Sequence, residues 1–192
     1  MIAIIAEKPS VGQEIARVVG ATEKKDGYIT GNGYMVTWAL GHLVSLALPG
    51  TYGYTRTTAE DLPMLPEPFR LVERQIRTDR GMVTDIAAGR QLKVIDGVFS
   101  ECDSIIVATD AGREGELIFR WIYSYLGCTK PFKRLWISSL TDEAIREGMA
   151  SLKEGTGYDS LYAAADSRAK ADWLVGMNAS RALAASSDCK MR

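Results

Sequence analysis

The fold is decided by residues 104–118, which read Ser-Ile-Ile-Val-Ala-Thr-Asp-Ala-Gly-Arg-Glu-Gly-Glu-Leu-Ile. Residues 105–108 are apolar, rich in β-branched side chains and too few for a buried helix, so they predict an interior strand of a parallel sheet. An acidic turn containing glycine follows, and the chain then resumes as a helix. Ligands of open α/β sheets bind beyond the carboxyl ends of such strands, so we expect a functional site at this turn.

Three carboxylates dominate this turn. Asp110, Glu114 and Glu116 can converge if the backbone turns tightly, which the two glycines of the turn permit, and Arg113 lies between them. Oxygen ligands of this kind suit Mg²⁺, which binds through one or two carboxylates and keeps its waters and substrate phosphates. The alternative is an acidic helix start without a metal, because Asp and Glu favour the positive end of the helix dipole. Spacing alone favours neither.

A second strand, turn and helix open the chain. The apolar run of the first six residues ends at Glu7-Lys8-Pro9-Ser10, where Ser10 is the predicted N-cap of a helix that stops at Gly20. Glu7 alone would be interpreted as a surface charge beside Lys8. If the two strands are parallel neighbours, however, Glu7 lies beside Asp110 and Glu114.

The remaining chain continues to alternate between strands and helices. Residues 27–40 predict a hairpin that turns at Gly31-Asn-Gly33 and leads to His42, the only histidine. His42 is either structural or able to hydrogen-bond a phosphate or orient a base. Residues 83–99 and 116–126 predict helices, 132–137 a strand, and Thr141 caps a further helix. A long alanine-rich helix is predicted over residues 158–186. This alternation predicts an α/β fold with a mostly parallel central sheet flanked by helices.

Four arginines recur at helical spacing after a loop rich in Pro, Gly, Thr and Tyr. They would form one basic stripe able to contact phosphates if the segment were helical. Acidic residues are interleaved with them, so a mixed solvated surface is the favoured interpretation. The four are Arg70, Arg74, Arg77 and Arg80.

Composition limits the class of protein. A chain of 192 residues can bury one core with a small appendage. Its 23 basic and 24 acidic residues give a net charge of -1, so any nucleic-acid contact depends on local clustering of charge. Cys102, Cys128 and Cys189 form neither a zinc pattern nor a disulfide framework, which fits a reducing compartment. With no signal peptide and no run long enough to span a bilayer, we expect a soluble intracellular protein, or part of one, without a membrane partner.

Four motifs resemble one family. Asp110-Ala-Gly-Arg-Glu-Gly-Glu116 is similar to the Asp-x-Asp-Arg-Glu-Gly-Glu motif of Toprim domains in type IA DNA topoisomerases. Ile5-Ala-Glu-Lys-Pro-Ser10 resembles the opening strand and turn of that family, most closely in its topoisomerase III group. Gly41-His-Leu43 matches a further motif, and residues 169–181 resemble the helix that leaves the Toprim domain. The resemblance covers nearly the whole chain in the family's order.

The resemblance implies a fold and a domain plan. The fold is a Rossmann-like Toprim domain with acids at one edge of the sheet. Residues 1–155 would form this domain, and residues 156–192 the truncated start of the next, helical topoisomerase domain. The implied partners are single-stranded DNA and downstream domains of the same chain, while no oligomeric state is indicated. The implied location is bacterial-type cytoplasm, associated with the nucleoid.

The resemblance also implies a reaction and a set of residues. Type IA enzymes are ATP-independent isomerases that cut one DNA strand with a tyrosine, hold the 5′ phosphate covalently, pass another strand and reseal. The implied cofactor is Mg²⁺. By correspondence with the family's functional positions, the resemblance implies catalytic roles for Glu7, Lys8 and Arg168, and phosphate or DNA binding by His42, Arg113, Lys8 and Arg168. It implies metal binding by Glu7, Asp110, Glu114 and Glu116.

The sequence departs from the family pattern at two points. Gly112 stands where the motif usually has its second aspartate, so metal affinity is expected to be weaker or to depend more on bound DNA phosphate. None of the eight tyrosines has a context that resembles the nucleophile's. The chain alone is therefore predicted to be catalytically incomplete. Two alternatives remain: a free-standing Toprim nuclease or primase, and a metal-poor DNA-binding scaffold.

Overall fold

A computed structural model describes residues 1–55, 58–79 and 81–190, with side chains up to residue 186. The strands within these ranges are β1 (Ile2–Ala6), β2 (Glu23–Lys25), β3 (Tyr28–Gly31), β4 (Tyr34–Trp38), β5 (Val44–Leu46), β6 (Leu71–Glu73), β7 (Gln75–Thr78), β8 (Gly81–Thr84), β9 (Ser104–Ala108), β10 (Phe132–Arg134) and β11 (Lys153–Glu154). The α-helices are α1 (Pro9–Val19), α2 (Ile86–Glu101), α3 (Arg113–Tyr125), α4 (Asp142–Ala150) and α5 (Asp159–Lys190).

The largest sheet confirms the predicted α/β architecture. Its strand order is β11-β10-β9-β1-β4-β3-β2. The four inner strands β10, β9, β1 and β4 run parallel, whereas the flanking strands pair antiparallel. Parallel strands of this kind need helical crossovers. In the chain, α2 precedes β9 and α3 follows it, and both helices form part of such crossovers.

The register makes three strands end at the same level. β1 lies at the centre, and its last residue, Ala6, is opposite Ala108 of β9 and Trp38 of β4. Residues that follow these three strands therefore emerge at one edge of the sheet. This edge is where open α/β sheets bind ligands.

Both faces of the sheet are buried. α1 and α4 cover one face, where Ile15 and Ile145 pack with Ile4 and Ile106. The alternate residues of β1 and β9 point to the other face and are equally buried, so neither strand has a solvated side. This burial explains why both strands are continuous apolar runs and not alternating patterns.

Two predicted helix caps match the structure, whereas the predicted start of α1 does not. Gly20 ends α1 in the left-handed conformation with φ 80, and the Thr141 hydroxyl caps α4 by accepting from the Ala144 N–H at 3.3 Å, as predicted. The N-cap of α1, in contrast, is Lys8 and not Ser10. Pro9 occupies the first turn, where its fixed φ suits a helix start and its missing N–H costs nothing.

The segment before β9 differs from its prediction. Residues 81–84 form β8, which pairs antiparallel with β7, and α2 begins only at Ile86. Asp85 caps α2 by accepting from the Ala87 N–H at 2.9 Å. The possible basic stripe requires its arginines to lie on one helix, whereas Arg77 lies in β7. Arg80 lies outside the described residues.

The chain divides into two compact units. One comprises Met1–Ser45 and Glu73–Ala165, and the other Leu46–Val72 and Asp166–Arg192. In the second unit, the Asn178 side chain accepts a hydrogen bond from the Met64 N–H at 2.6 Å and donates one to the Met64 carbonyl at 3.0 Å. The Trp173 indole donates to the Ala47 carbonyl at 2.9 Å. The family boundary after residue 155 stays a prediction. No helix in the described part of the chain is long and apolar enough to cross a membrane.

Candidate active site

Glu7 and Asp110 meet where β1 and β9 end. Glu7 directly follows β1 and is 9% exposed, while Asp110 lies two residues beyond β9 and is exposed. The Asp110 N–H donates to Glu7 Oε2 at 3.2 Å. The structure therefore brings these two sequence-predicted residues together through a bond that fixes the Glu7 carboxylate against the turn after β9.

Lys8 supplies a cation at the same edge. Its Nζ lies 3.9 Å from Asp110 Oδ2, and both side chains are more than half exposed. An exposed pair at this separation contributes little to stability. The Lys8 ammonium group is therefore available to an incoming anion.

Gly115 lets α3 begin directly against Asp110. A Cβ at this position would lie 2.1 Å from the Asp110 carbonyl oxygen, a distance that no side chain can occupy. The Thr109 hydroxyl also donates to the Gly115 carbonyl at 2.7 Å. Gly112, the N-cap of α3, is different: its φ of 170 is extended, and a Cβ there would meet nothing within 4 Å.

His42 and Glu114 form a second pair at this edge. The Ala39 N–H donates to the Ala6 carbonyl at 2.8 Å, so the chain after β4 stays beside β1 until it reaches His42. His42 Nε2 hydrogen-bonds Glu114 Oε1, and its ring stands edge-on to Trp121 at a centroid distance of 5.9 Å. Arg113 is exposed on the first turn of α3 and forms no ion pair with any described residue.

Glu116 differs from the exposed acids because both of its carboxylate oxygens accept hydrogen bonds from arginines. It is fully buried, with Arg134 Nε donating to Oε2 at 3.0 Å and Arg120 Nε donating to Oε1 at 2.8 Å. A buried carboxylate needs such partners, because an unpaired charge in the interior is costly. Both oxygens of this sequence-predicted metal ligand are thus held by guanidinium groups.

Arg134 fixes the backbone at the end of β9 and is a residue that the sequence analysis missed. Its guanidinium donates to the carbonyls of Val107, Thr109 and Asp110 at 2.8–2.9 Å, and the side chain is fully buried. Burial lowers the pKa of Arg134 from its ordinary value, while Glu116 opposes that shift. The one signal in the sequence is that Arg134 directly precedes the apolar Leu135 within a predicted strand.

Arg74 has a similar role in the segment that carries His42. Its Nη1 donates to the carbonyls of Leu40 and His42 at 2.9 and 3.1 Å. Its Nε and Nη2 bond Asp85 Oδ2 at 2.8 and 2.6 Å, and this bond lowers the pKa of Asp85 below its ordinary range. The sequence analysis had favoured a mixed solvated surface for this arginine over a helical phosphate-binding stripe, and neither interpretation included these bonds.

The last sequence-predicted site residue, Arg168, is not in the compact unit that contains this edge. Arg168 lies on α5 with its Nε 3.7 Å from Asp172, a neighbour one turn along the helix, and both residues belong to the second compact unit. Its predicted role at the active centre stays a prediction.

The acids of this edge do not form a ready-made metal cage. Among the described residues, no group of three or more His, Cys, Asp or Glu side chains is arranged to hold a metal ion. Mg²⁺ sites in phosphate-handling enzymes commonly use only one or two carboxylates, with waters and substrate phosphates completing the shell. Asp110 and Glu114 are both exposed and offer oxygen donors of that kind.

Comparison with known proteins identifies the family of this chain. The Toprim domain family model matches residues 2–140, and the chain belongs to this family. Its relatives include DNA topoisomerase 3 from Bacillus thuringiensis, 50% identical over 94% of this chain, and from Shouchella clausii, 49% identical over 94%. The chain spans 24% of the length of these relatives. Among solved structures, full-length topoisomerase I from Thermotoga maritima covers 79% of this chain and 21% of its own, with a TM-score of 0.48 and 18% identity.

Proposed function

We propose that this chain is the Toprim portion of a type IA DNA topoisomerase similar to topoisomerase 3, an ATP-independent isomerase that cuts, passes and reseals single DNA strands. One observation carries the proposal: Glu7, Lys8 and Asp110 meet at the joint end of β1 and β9. The relatives named DNA topoisomerase 3 share half of the aligned residues and support the same assignment.

Lys8 and Glu7 have complementary roles in this proposal. The exposed Lys8 ammonium stabilises the charge that develops on the scissile phosphate. Glu7, held by the Asp110 N–H, gives a proton to the leaving 3′ oxygen of the cut strand and takes it back on resealing. A fixed, mostly buried acid is suited to this role because its orientation is set before DNA binds.

Asp110 and Glu114 are the proposed Mg²⁺ ligands, with Glu7 beside them. Their donors fit the ion, since both are exposed carboxylates at the edge where Lys8 would meet phosphate. When bound, Mg²⁺ would supply a Lewis-acid contact that neutralises phosphate charge. Glu116 is left out of this ligand set because Arg120 and Arg134 hold both of its oxygens.

The remaining residues of the proposal bind and orient DNA. His42, restrained by Glu114 and Trp121, and the exposed Arg113 would contact phosphates of a single strand. Arg168 would contribute a further cation near the active centre. We assign the tyrosine nucleophile to downstream domains and expect the protein to act in the bacterial-type cytoplasm beside the nucleoid.

A chimera tests the proposal. In it, this chain replaces the matching quarter of the Bacillus thuringiensis topoisomerase 3, and relaxation of negatively supercoiled plasmid is measured with Mg²⁺. We expect the chimera to relax DNA and the 192-residue chain alone to be inactive. Lys8→Ala and Glu7→Gln should each slow the chimera at least about 100-fold, the loss typical of removing one electrostatic or acid–base contribution. Glu147→Gln, on the exposed side of α4, is the matched control and should have no effect.

The outcomes separate the alternatives. An unfolded or inactive chimera beside an active parent enzyme, or full activity in Lys8→Ala, contradicts the topoisomerase proposal. Metal-dependent nicking of plasmid by the 192-residue chain would indicate a free-standing nuclease. DNA binding that ignores both Mg²⁺ and Asp110→Asn would indicate a scaffold.

A further inference from the structure

A cavity opens beside the acidic edge, on the face of the sheet covered by α1. Its volume is about 370 Å³, at the small end of the range for ligand pockets. Ile15 of α1 and Leu135 form apolar walls that are almost completely buried, and Val11 of the first turn of α1 narrows one side. The role of this cavity does not follow from the roles proposed for Glu7, Lys8 or His42.

The rim of the cavity is formed by the segment after β10. Ser138 and Ser139 provide hydroxyl groups there, and Leu140 is 45% exposed although it is a large apolar side chain. The cavity also borders Asp110, so it opens next to the acid that the proposed function places at the scissile phosphate. An exposed leucine over an apolar cavity is stabilised when a flat apolar group covers it.

The charges around the cavity exclude a phosphate as its occupant. Neither lysine nor arginine is among the described residues that line it, and its one charged group is the Asp110 carboxylate. An anion inside would be repelled by Asp110 and would lack a counter-charge. The occupant must therefore be neutral, largely apolar on its faces, and able to bond hydroxyl groups along its edge. A nucleobase has these properties.

We propose that this cavity binds one base of single-stranded DNA, next to the nucleotide whose phosphate lies at Lys8 and Asp110. The inference rests on the proposed function and adds a base-binding subsite to it. The base inserts between Val11 and Leu140, and its edge bonds Ser138 or Ser139. The charged backbone stays outside, where Lys8 contacts it.

The test uses the 192-residue chain and two oligonucleotide probes in the presence of Mg²⁺. The first probe is a short single-stranded DNA. The second is a series of the same oligonucleotide in which each member has one abasic nucleotide at a different position. Affinity is measured by fluorescence anisotropy. We expect one abasic position to weaken binding about tenfold, as for loss of a single buried base.

A variant that fills the cavity tests whether the weaker binding of the abasic probe arises at the cavity. Val11→Phe should weaken binding of the intact oligonucleotide about tenfold and remove the difference between the intact and abasic probes. Val18→Phe, a partly buried valine near the other end of the same helix, is the matched control and should retain that difference. Leu140→Ser, at the exposed rim, provides a second variant with little effect on folding and should act like Val11→Phe.

Each result has a defined meaning. Binding that depends on Lys8 but is the same for every abasic probe overturns the base subsite while the proposed function stands. An abasic effect that persists in both Val11→Phe and Leu140→Ser places the base elsewhere and also overturns it. If the chain binds no single-stranded DNA, both the subsite and the proposed function fail.

Discussion

Gly112 is the residue at which metal affinity should be easiest to change. Its backbone is extended at φ 170, and a side chain there would meet nothing within 4 Å, so Gly112→Asp should fold without strain. The new carboxylate would stand between Asp110 and Glu114 in sequence. We expect calorimetry to show Mg²⁺ binding about tenfold tighter than in the unmodified chain, as an added ligand charge strengthens a site of hard oxygen donors.

Two further variants complete this measurement. Gly157→Asp adds the same charge at another glycine with open space around it and should leave Mg²⁺ affinity unchanged. Asp110→Asn should abolish binding. Equal affinities in Gly112→Asp and Gly157→Asp would show that this turn is not where the metal binds.

Gly115 should tolerate no side chain. Gly115→Ala places a Cβ 2.1 Å from the Asp110 carbonyl oxygen, so either α3 or the turn must move. We expect a loss of more than about 3 kcal/mol in the free energy of urea unfolding, typical of severe backbone conflict. Gly97→Ala in α2 has open space and should instead stabilise the chain, by about 0.5–1 kcal/mol. A similar effect of both substitutions would contradict the close approach of α3 to Asp110.

The location of residues that follow strands could be predicted from the sequence, whereas the contacts of the buried arginines could not. Glu7 and Asp110 were predicted to meet because parallel strands end at one edge and both strands are visible as short apolar runs. The bonds of Arg134 and Arg74 are made to backbone carbonyls, which no side-chain pattern reveals. The pair of Glu116 with Arg120 has the i,i+4 spacing of one helix and is visible in the sequence, whereas its pair with Arg134 joins two different elements and is not.

Among the elements, α3 and β10 are joined by one buried ion pair, beside ring contacts of Phe132 with Phe119 and Tyr123. Arg134 of β10 joins Glu116 of α3 to three carbonyls at the end of β9. Lysine cannot reproduce this planar set of donors, so Arg134→Lys should destabilise the chain by about 3–5 kcal/mol in urea unfolding. Lys133→Arg, at the exposed neighbouring position of β10, should change stability by less than about 0.5 kcal/mol. Equal stability of the two variants would show that the buried pair is dispensable.

The prediction of elements succeeded where local signals were strong. The hairpin of β3 and β4, the cap at Thr141 and the stop at Gly20 each follow from turn or cap chemistry within a few residues. Association of residues 46–72 with α5 from Asp166 onward depends instead on Trp173 and Asn178 contacting carbonyls more than 100 residues away. Periodicity contains no information about such pairs.

For the molecule as a whole, acid should lower the stability of the chain through its paired aspartates. Hydrogen bonds from Arg74, the N-terminus and Arg17 lower the pKa values of Asp85, Asp103 and Asp142, respectively, below their ordinary 3.8. A carboxyl group with a lowered folded-state pKa stabilises the fold above its unfolded pKa and loses this contribution as pH falls through the folded value. We therefore expect stability to be level above about pH 5 and to fall steeply below about pH 4.

Asp142→Asn checks the origin of this loss. Asp142 joins α4 to Arg17 of α1, so the variant should be less stable than the unmodified chain at pH 7. The difference should shrink as pH falls from 3.8 through the lowered folded-state pKa of Asp142, below which the carboxyl group is neutral in the folded chain as well. Urea unfolding at pH 7 and pH 3 measures both values. A difference that is the same at both pH values would assign the effect of the substitution to packing and not to charge.

The central position of β1 has a consequence for the order of events during synthesis. β1 precedes its two neighbours in the sheet along the chain, and they are completed only at residues 38 and 108. Pairing with β4 can form early, but the partner on the other side arrives about 70 residues later, and contacts so distant in sequence form slowly. One side of a fully apolar strand thus stays uncovered while α2 is being made. Glu7 cannot receive its bond from Asp110 until β9 docks, so the nascent chain acquires its acidic edge only when most of the Toprim domain has emerged.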